Sequence, residues 1–316
     1  MEVDLMKVSY TVFVPVVAAL QLTQGIAAED PAQDEHHILD EIIIAATPLE
    51  RTVEQLAQPT SVLAGDALAK KQAASIGETL ANELGVSSSY FGPVASRPVI
   101  RGQFGERVRV LSNGLDALDA SALSEDHAVG LDSILAESVE VVRGPATLLY
   151  GSGAAGGIVN IVDSRIADAP LDSPVSGALA LNGDSALGTR SGAVKVDVGA
   201  DNLVWHFDWF RRDTDNMEIP GFAESKLLRA LEEAEEAGDG EEEAFGDVEN
   251  TDSEVEGGAA AVTFTGDNGF VGVSVSRYAS NYGIPGHEHA HEEGEEEEEE
   301  EIVRIDLDQT RYDLKA

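Results

Sequence analysis

The stretch Val141-Val142-Arg143-Gly144-Pro145-Ala146-Thr147-Leu148-Leu149-Tyr150-Gly151-Ser152-Gly153-Ala154-Ala155-Gly156-Gly157-Ile158-Val159-Asn160-Ile161 admits two readings, and the choice between them decides the fold. Gly151, Gly153 and Gly156 match G-x-G-x-x-G, the fingerprint of a dinucleotide site. That site needs a helix after the last glycine, so that the helix N-terminus meets the pyrophosphate. Here Ile158 to Val162 follows instead, a β-branched run that reads as a strand. The segment is therefore two strands, Ser138 to Arg143 and Gly157 to Val162, joined by a glycine-rich connection.

Towards the N-terminus the composition is mixed and globular. The patterning predicts strands at Thr60 to Leu63, Pro98 to Arg101 and Arg107 to Leu111. It predicts helices at Asp66 to Lys71 and Ser75 to Leu84, and a short one at Leu131 to Ala136. Together these make an α+β domain over residues 47–165. Before it, Met6-Lys7 and the apolar Val8 to Leu20 have the charged and hydrophobic parts of an export signal, with Met6 a candidate start. Gly25 and Ala27 suit cleavage near Ala27 or Ala28, so residues 1–28 are expected to be a signal peptide. Residues 29–46 follow as a polar lead-in containing His36 and His37, and end in the β-branched run Glu41-Ile42-Ile43-Ile44-Ala45-Ala46, suited to pairing as an added strand.

Beyond residue 170 the period changes to two. Leu203, Trp205, Phe207 and Trp209 share one parity, while His206 and Asp208 share the other. Val194, Val196 and Val198 alternate with Lys195 and Asp197; Val271, Val273 and Val275 with Ser274 and Ser276; Val303, Ile305 and Leu307 with Arg304, Asp306 and Asp308. Val175 to Leu181 and Ala259 to Thr265 complete six strands. Tight turns at Gly199-Ala200-Asp201-Asn202 and Gly266-Asp267-Asn268-Gly269 sit opposite long acidic connections, 214–256 and 283–301. Short turns on one side and long loops on the other are the pattern of an outer-membrane barrel, apolar parity to lipid and polar parity to the lumen. A soluble sandwich shares the alternation but not this asymmetry. Six strands cannot close around a domain of this size, so the reading expects a truncated chain whose barrel is partial.

With order and motif in hand, the central block resembles the end of the plug domain of TonB-dependent outer-membrane receptors, where a VRGP-x-x-x-LYG-x-x-A-x-GG-x-VNI pattern precedes the first barrel strand. Arg97-Pro98-Val99-Ile100-Arg101-Gly102 and Arg107-Val108-Arg109-Val110-Leu111-Ser112-Asn113-Gly114 resemble the plug's next segments, and Glu41 to Ala46 its TonB box. The resemblance implies an α+β plug followed by the first strands of a transmembrane antiparallel β-barrel, in the cell outer membrane of a Gram-negative bacterium. It also implies the TonB energy-transducing complex as partner, bound through Glu41, Ile42, Ile43, Ile44 and Ala45, and outer-membrane lipid around the wall. More narrowly, Leu118 to Val129 and the His/Glu insert resemble the branch associated with zinc uptake.

Composition narrows the cargo. The chain carries 59 acidic and 20 basic residues over 316, a net charge of −39, which excludes a nucleic-acid partner and favours cations. Residues 224–256 hold 14 acidic and 2 basic residues, and residues 287–301 hold 10 acidic and none basic, so the excess sits in two solvated inserts. With no cysteine, a metal site must use imidazole and carboxylate. His287, Glu288, His289, His291, Glu292 and Glu293 alternate these ligands on the loop side, a pattern suited to weak capture of zinc or another divalent cation. Asp126 and His127 are candidate ligands in the plug, and His206 with Asp208 a further pair on the lumen parity. No nucleophile, base and orienter appear together, so the reading is a non-enzymatic importer needing no cofactor. It expects import of a divalent metal ion, most simply zinc. The alternatives are a receptor for a siderophore, haem or other metal chelate, and an exported acidic metal-buffering or adhesive protein.

Overall fold

The computed structural model describes residues 10–15, 43–44, 51–52, 60–117, 120–227, 229–230, 244–285 and 303–316. The first half of the chain contains β1 (Tyr10–Pro15), β2 (Ile43–Ile44), β3 (Arg51–Thr52), β4 (Thr60–Ala64), α1 (Gly65–Lys71), α2 (Ile76–Leu80), β5 (Val86–Ser88), β6 (Pro98–Ile100), β7 (Val108–Ser112), β8 (Leu115–Asp116), β9 (Ser138–Val142) and β10 (Gly157–Val162). The second half contains β11 (Val175–Gly183), β12 (Arg190–Ala200), β13 (Leu203–Thr214), β14 (Met217–Phe222), β15 (Phe245–Val248), β16 (Ser253–Gly266), β17 (Gly269–Gly283) and β18 (Arg304–Lys315).

The first domain is built on a five-stranded sheet of order β4-β9-β10-β7-β8, in which β10 runs parallel to β7 and antiparallel to β9. Leu63, Leu68, Ile76, Leu80, Ile100, Val108, Val139, Val141 and Val159 close its core beneath the two helices. Ser75 caps α2 by accepting from the Glu78 N–H, and the helix ends at Leu80, earlier than its apolar spacing suggests. Leu131 to Ala136 is not a helix: the Asp132 carboxylate accepts from Ile134 N–H at 2.8 Å and fixes a turn instead.

The glycine-rich connection is structural. Gly151 sits at φ 99°, where a side chain is strained, and a Cβ on Gly156 would lie 2.6 Å from Gln103 Cβ and 2.9 Å from the Arg107 carbonyl. The motif therefore turns the chain and lets β10 settle against the Gln103–Arg107 segment.

The second half forms a seven-stranded sheet of order β1-β11-β12-β13-β16-β17-β18, antiparallel throughout and open at both edges. The six expected strands are present, and Tyr10–Pro15, from the expected export signal, adds a seventh beside β11. Trp205, Phe207 and Trp209 are 43%, 51% and 50% exposed, while His206 between them is 3% exposed. This is the inverse of a soluble sandwich: the apolar parity faces outward and the polar parity faces the first domain. Val194, Val196, Val198, Val271, Val273, Val275, Tyr312 and Leu314 extend the same outer belt.

The expected parity fails at the loop end of β18. Ile305 packs with Val94, Ala95, Ala128, Tyr282 and Ile284 on the inner side, and Leu307 shares its parity, whereas Asp308 points outward and pairs with Arg277 at 2.6 Å. At this height the outer face has left the apolar belt; Arg211, Asp213, Glu254 and Glu256 cluster there too. Water-facing charge outside and plug contact inside reverse the rule that holds lower down. The connection after β13 is also less uniform than its charge suggests, because β14 and β15 pair as a ribbon in which the Phe222 and Phe245 rings meet at 4.8 Å.

Candidate functional site

The long connections after β13 and β17 define the outer end of the wall, and the tight turns after β12 and β16 the inner end. Tyr282, near the outer end of β17, reaches into the first domain. Its hydroxyl accepts from the Ala128 N–H at 2.7 Å and donates to the Asp126 carbonyl at 3.1 Å. Asp126 and His127 thus stand at the outer end, held to the wall through their own backbone. The Asp126 carboxylate accepts from His127 Nδ1 at 2.8 Å and from the Ser124 hydroxyl. The Ser124 bond first, then the His127 ring, outweigh partial burial and hold this carboxyl below the usual carboxylate range. About a third of each side chain is exposed, so the pair is open to a ligand from outside.

The first domain also exposes large apolar side chains. Tyr90, Phe91 and Leu123 are 43%, 40% and 79% exposed. Tyr90 has a φ of 45°, uncommon for an aromatic residue, and its hydroxyl donates to Met217 Sδ on β14 at 3.0 Å. Burial is the leading cause that pushes its phenol up.

The base of the His/Glu insert is fastened at the outer end of the wall. Ile284 N–H donates to the Val303 carbonyl at 3.1 Å, and the Asn250 amide donates to both the Ile284 and Val303 carbonyls at 2.7 and 2.9 Å. Arg304 adds bonds to Asp252 and Asn281. His287, Glu288, His289, His291, Glu292 and Glu293 themselves lie outside the described residues, as do Glu41, Ile42 and Ala45. Of the expected TonB box, Ile43 and Ile44 pair antiparallel with Thr52 and Arg51. Among the described residues no group of three His, Asp or Glu side chains is arranged to hold a metal ion. Asp126 and His127 come together; His206 and Asp208 lie elsewhere, in a separate buried cluster.

Among the described residues three ionic ties join the first domain to the wall, one of them the half-exposed contact of Lys195 on β12 with Glu137 at 3.5 Å and the other two largely buried. Arg212 on β13 makes a bidentate contact with Asp132, at 2.6 and 3.2 Å, and donates to the Ala74 carbonyl at 3.0 Å. Both side chains of the pair are about 95% buried, beside Ile134, Phe210 and Tyr278. The second tie runs through Arg165, which donates to Asp208 at 2.9 Å, and Asp208 contacts His206 Nε2 at 2.9 Å. Burial opposes the Arg165 charge, but Asp163 and Asp208 prevail and its pKa is raised. Tyr282, Asn250, Arg212 and Asp132 escape sequence reasoning, because their importance lies in pairs 34 to 156 residues apart along the chain.

Residues 52–158 match the family model for the TonB-dependent Receptor Plug Domain. The chain is 30% identical over 185 residues to the hemin receptor of Yersinia enterocolitica, covering 55% of this chain and 26% of that protein. It is 28% identical over 230 residues to the vitamin B12 transporter of Photobacterium profundum, covering 69% of this chain and 36% of the relative. A solved copper transporter shares the fold with a TM-score of 0.53 at 20% identity, over 71% of this chain and 31% of that one. The chain spans about a quarter to a third of the length of these curated relatives. Residues 52–158 are thus a plug domain of the TonB-dependent receptor type, and the antiparallel strands that follow share the fold of the transporter wall, an arrangement of the outer membrane of a Gram-negative bacterium.

Proposed function

Starting from a TonB-dependent receptor plug seated against strands of its outer-membrane wall, we propose that the chain serves the import of a scarce metal as a chelate, a haem or siderophore complex. The observation that carries this is the outer end of the plug, which bears exposed Tyr90, bonded to Met217 of β14, with its neighbour Phe91, and also the Asp126–His127 pair, tied through the Asp126 carbonyl to Tyr282 of β17. Aromatic planes receive a flat or catechol-like ligand, and a carboxylate with an imidazole reads the metal or its polar groups. The similarity to a hemin receptor and to a vitamin B12 transporter supports a cargo of this class. Cargo binding is equilibrium chemistry, whereas passage past a plug fastened to the wall needs work. In this reading that work arrives from TonB, which adds a strand to residues 41–45 and pulls on the plug from its N-terminal side.

A second reading, free divalent metal and zinc in particular, rests on one feature: the His/Glu insert is rooted beside Asp126. His287 is five positions beyond Tyr282, a covalent reach of at most roughly 18 Å, so capture on the insert could pass an ion to Asp126 and His127. The two readings part in an uptake assay with radiolabelled ferric siderophores, haem and zinc in energised cells producing the receptor. The chelate reading expects one iron-bearing cargo whose uptake falls about tenfold in Tyr90→Ala/Phe91→Ala, the size of losing one buried aromatic anchor. Zinc uptake abolished by Asp126→Ala/His127→Ala moves the cargo to the free ion. No TonB-dependent uptake of any of these would sink both.

A further inference from the structure

His206 stands on the inner side of β13 with a carboxylate at each ring nitrogen: Asp197 Oδ1 is 2.6 Å from Nδ1 and Asp208 Oδ2 is 2.9 Å from Nε2. The ring is 3% exposed, and the Asp197 and Asp208 side chains are 12% and 2% exposed. An ionised carboxylate only accepts, so each of these contacts requires a proton between the two atoms. A neutral imidazole supplies one. The second proton belongs either to the ring or to a carboxyl, and ordinary basicity favours imidazole over carboxylate by about two pKa units. The surroundings push the same way. Arg165 donates to the same Asp208 oxygen at 2.9 Å and Ser176 donates to Asp197 at 3.4 Å, both of which favour the ionised carboxylates.

The cluster occupies a defined place. Arg165 and Asp163 follow β10, the last strand of the plug sheet, and precede β11, the first strand of the wall after it. Arg165 pairs with Asp163 at 3.3 Å as well as with Asp208, Asp163 accepts from Asn113, and Lys195 of β12 donates to Ser164 at 3.2 Å. The chain that joins plug to wall is thus fixed at its beginning to β12 and β13.

We propose that His206 is a doubly protonated imidazolium which bridges Asp197 and Asp208 and so clamps the plug's exit segment, residues 163–165, to the wall. Arg165 binds Asp163 and Asp208, and Lys195, opposite Asp208 on β12, is engaged by Ser164 and Glu137, so with a neutral ring Asp197 is left with Ser176 and the ring, and one of the two short ring contacts faces two acceptors. With the imidazolium, every carboxylate has a cationic partner. The plug is then held to the wall at Arg165, which gives a pull from residues 41–45 something to pull against. That last step rests on the transport reading; the charge state and the clamp do not.

The test uses the full chain in outer-membrane preparations, with trypsin, which cuts after Arg165. The clamp predicts that His206→Gln, a neutral side chain offering N–H on one side only, raises the rate of cleavage at Arg165 by about tenfold through local opening. Asp197→Asn added to His206→Gln removes the carboxylate that needs the second proton, and should return the rate to within about twofold of the parent. Unchanged cleavage in His206→Gln, or no recovery in the double variant, overturns the clamp and leaves His206 as packing. Nitrogen NMR of histidine-labelled chain against the His206→Gln spectrum reads the ring directly in the unsubstituted protein. Two protonated nitrogens at neutral pH are expected, and a neutral tautomer overturns the proposal even if the variants fail to fold. Neither readout depends on cargo, so failure of the transport reading would leave these results standing.

Discussion

Asp132 and Arg212 show what a single pair does at this interface. Buried charges contribute little net stability as a pair but cost heavily when split. Asp132→Ala is expected to destabilise the plug–wall assembly by about 3–5 kcal/mol by stranding the Arg212 guanidinium, measured as loss of denaturant resistance. Asp132→Leu/Arg212→Met, which removes both charges, should recover most of that loss, and an equal loss in both variants would show that packing rather than charge sets the cost. Asp126 offers a test by titration. Its folded pKa is depressed, so its contribution to stability is fully present above the ordinary carboxylate pKa near 4 and is lost as pH falls through the folded value. Carboxyl NMR should therefore give Asp126 a lower midpoint than an ordinary exposed aspartate, and Ser124→Ala should bring it up. A midpoint in the parent at the ordinary value, or no change in Ser124→Ala, would contradict the Ser124 and His127 bonds. None of these roles is visible from residue type: Asp132 reads as one aspartate among many until the fold brings Arg212 to it.

At the scale of elements, the outer belt makes the sharpest demand. Phe207 sits mid-belt on β13 with its side chain outward, so Phe207→Lys should cost about 2–4 kcal/mol in a bilayer. Arg211→Ala, two positions beyond Trp209 in the charged band, should cost little because its ion pairs are exposed. Folding yields into lipid vesicles compare the two, and a harmless Phe207→Lys would remove the lipid-facing assignment. The alternation that exposes this belt was legible in the sequence wherever one chemistry dominates a parity, as in β13 and β17. It misled at β18 because hydrophobicity records burial without saying whether lipid or protein does the burying: Ile305 is apolar for the plug, Tyr312 and Leu314 for the outer belt. The plug motif was legible for a different reason, since Gly156 has no room for a Cβ and Gly151 holds a backbone angle that side chains resist. The Leu131 to Ala136 segment was not, because the Asp132 turn that replaces the helix is stabilised by a partner on β13, 80 residues away.

For the whole molecule the sheet and the plug divide the labour. The wall supplies an apolar outside and a polar inside, and the plug packs against the inside through ionic ties from β12 and β13, through the Arg165 cluster and through the Tyr282 bridge. The buried ties differ in kind, one a lone pair set in apolar packing and the other a cluster beside the covalent joint. The excess negative charge lies mainly on the two inserts of the outer side, where it concentrates cations before any contact is made. If the plug gates energised uptake, as proposed, the direct test is uptake of radiolabelled cargo by cells producing the protein with residues 41–46 deleted, alongside cargo binding at the cell surface. Uptake abolished with surface binding unchanged is the expected result; energised uptake that survives the deletion would contradict it.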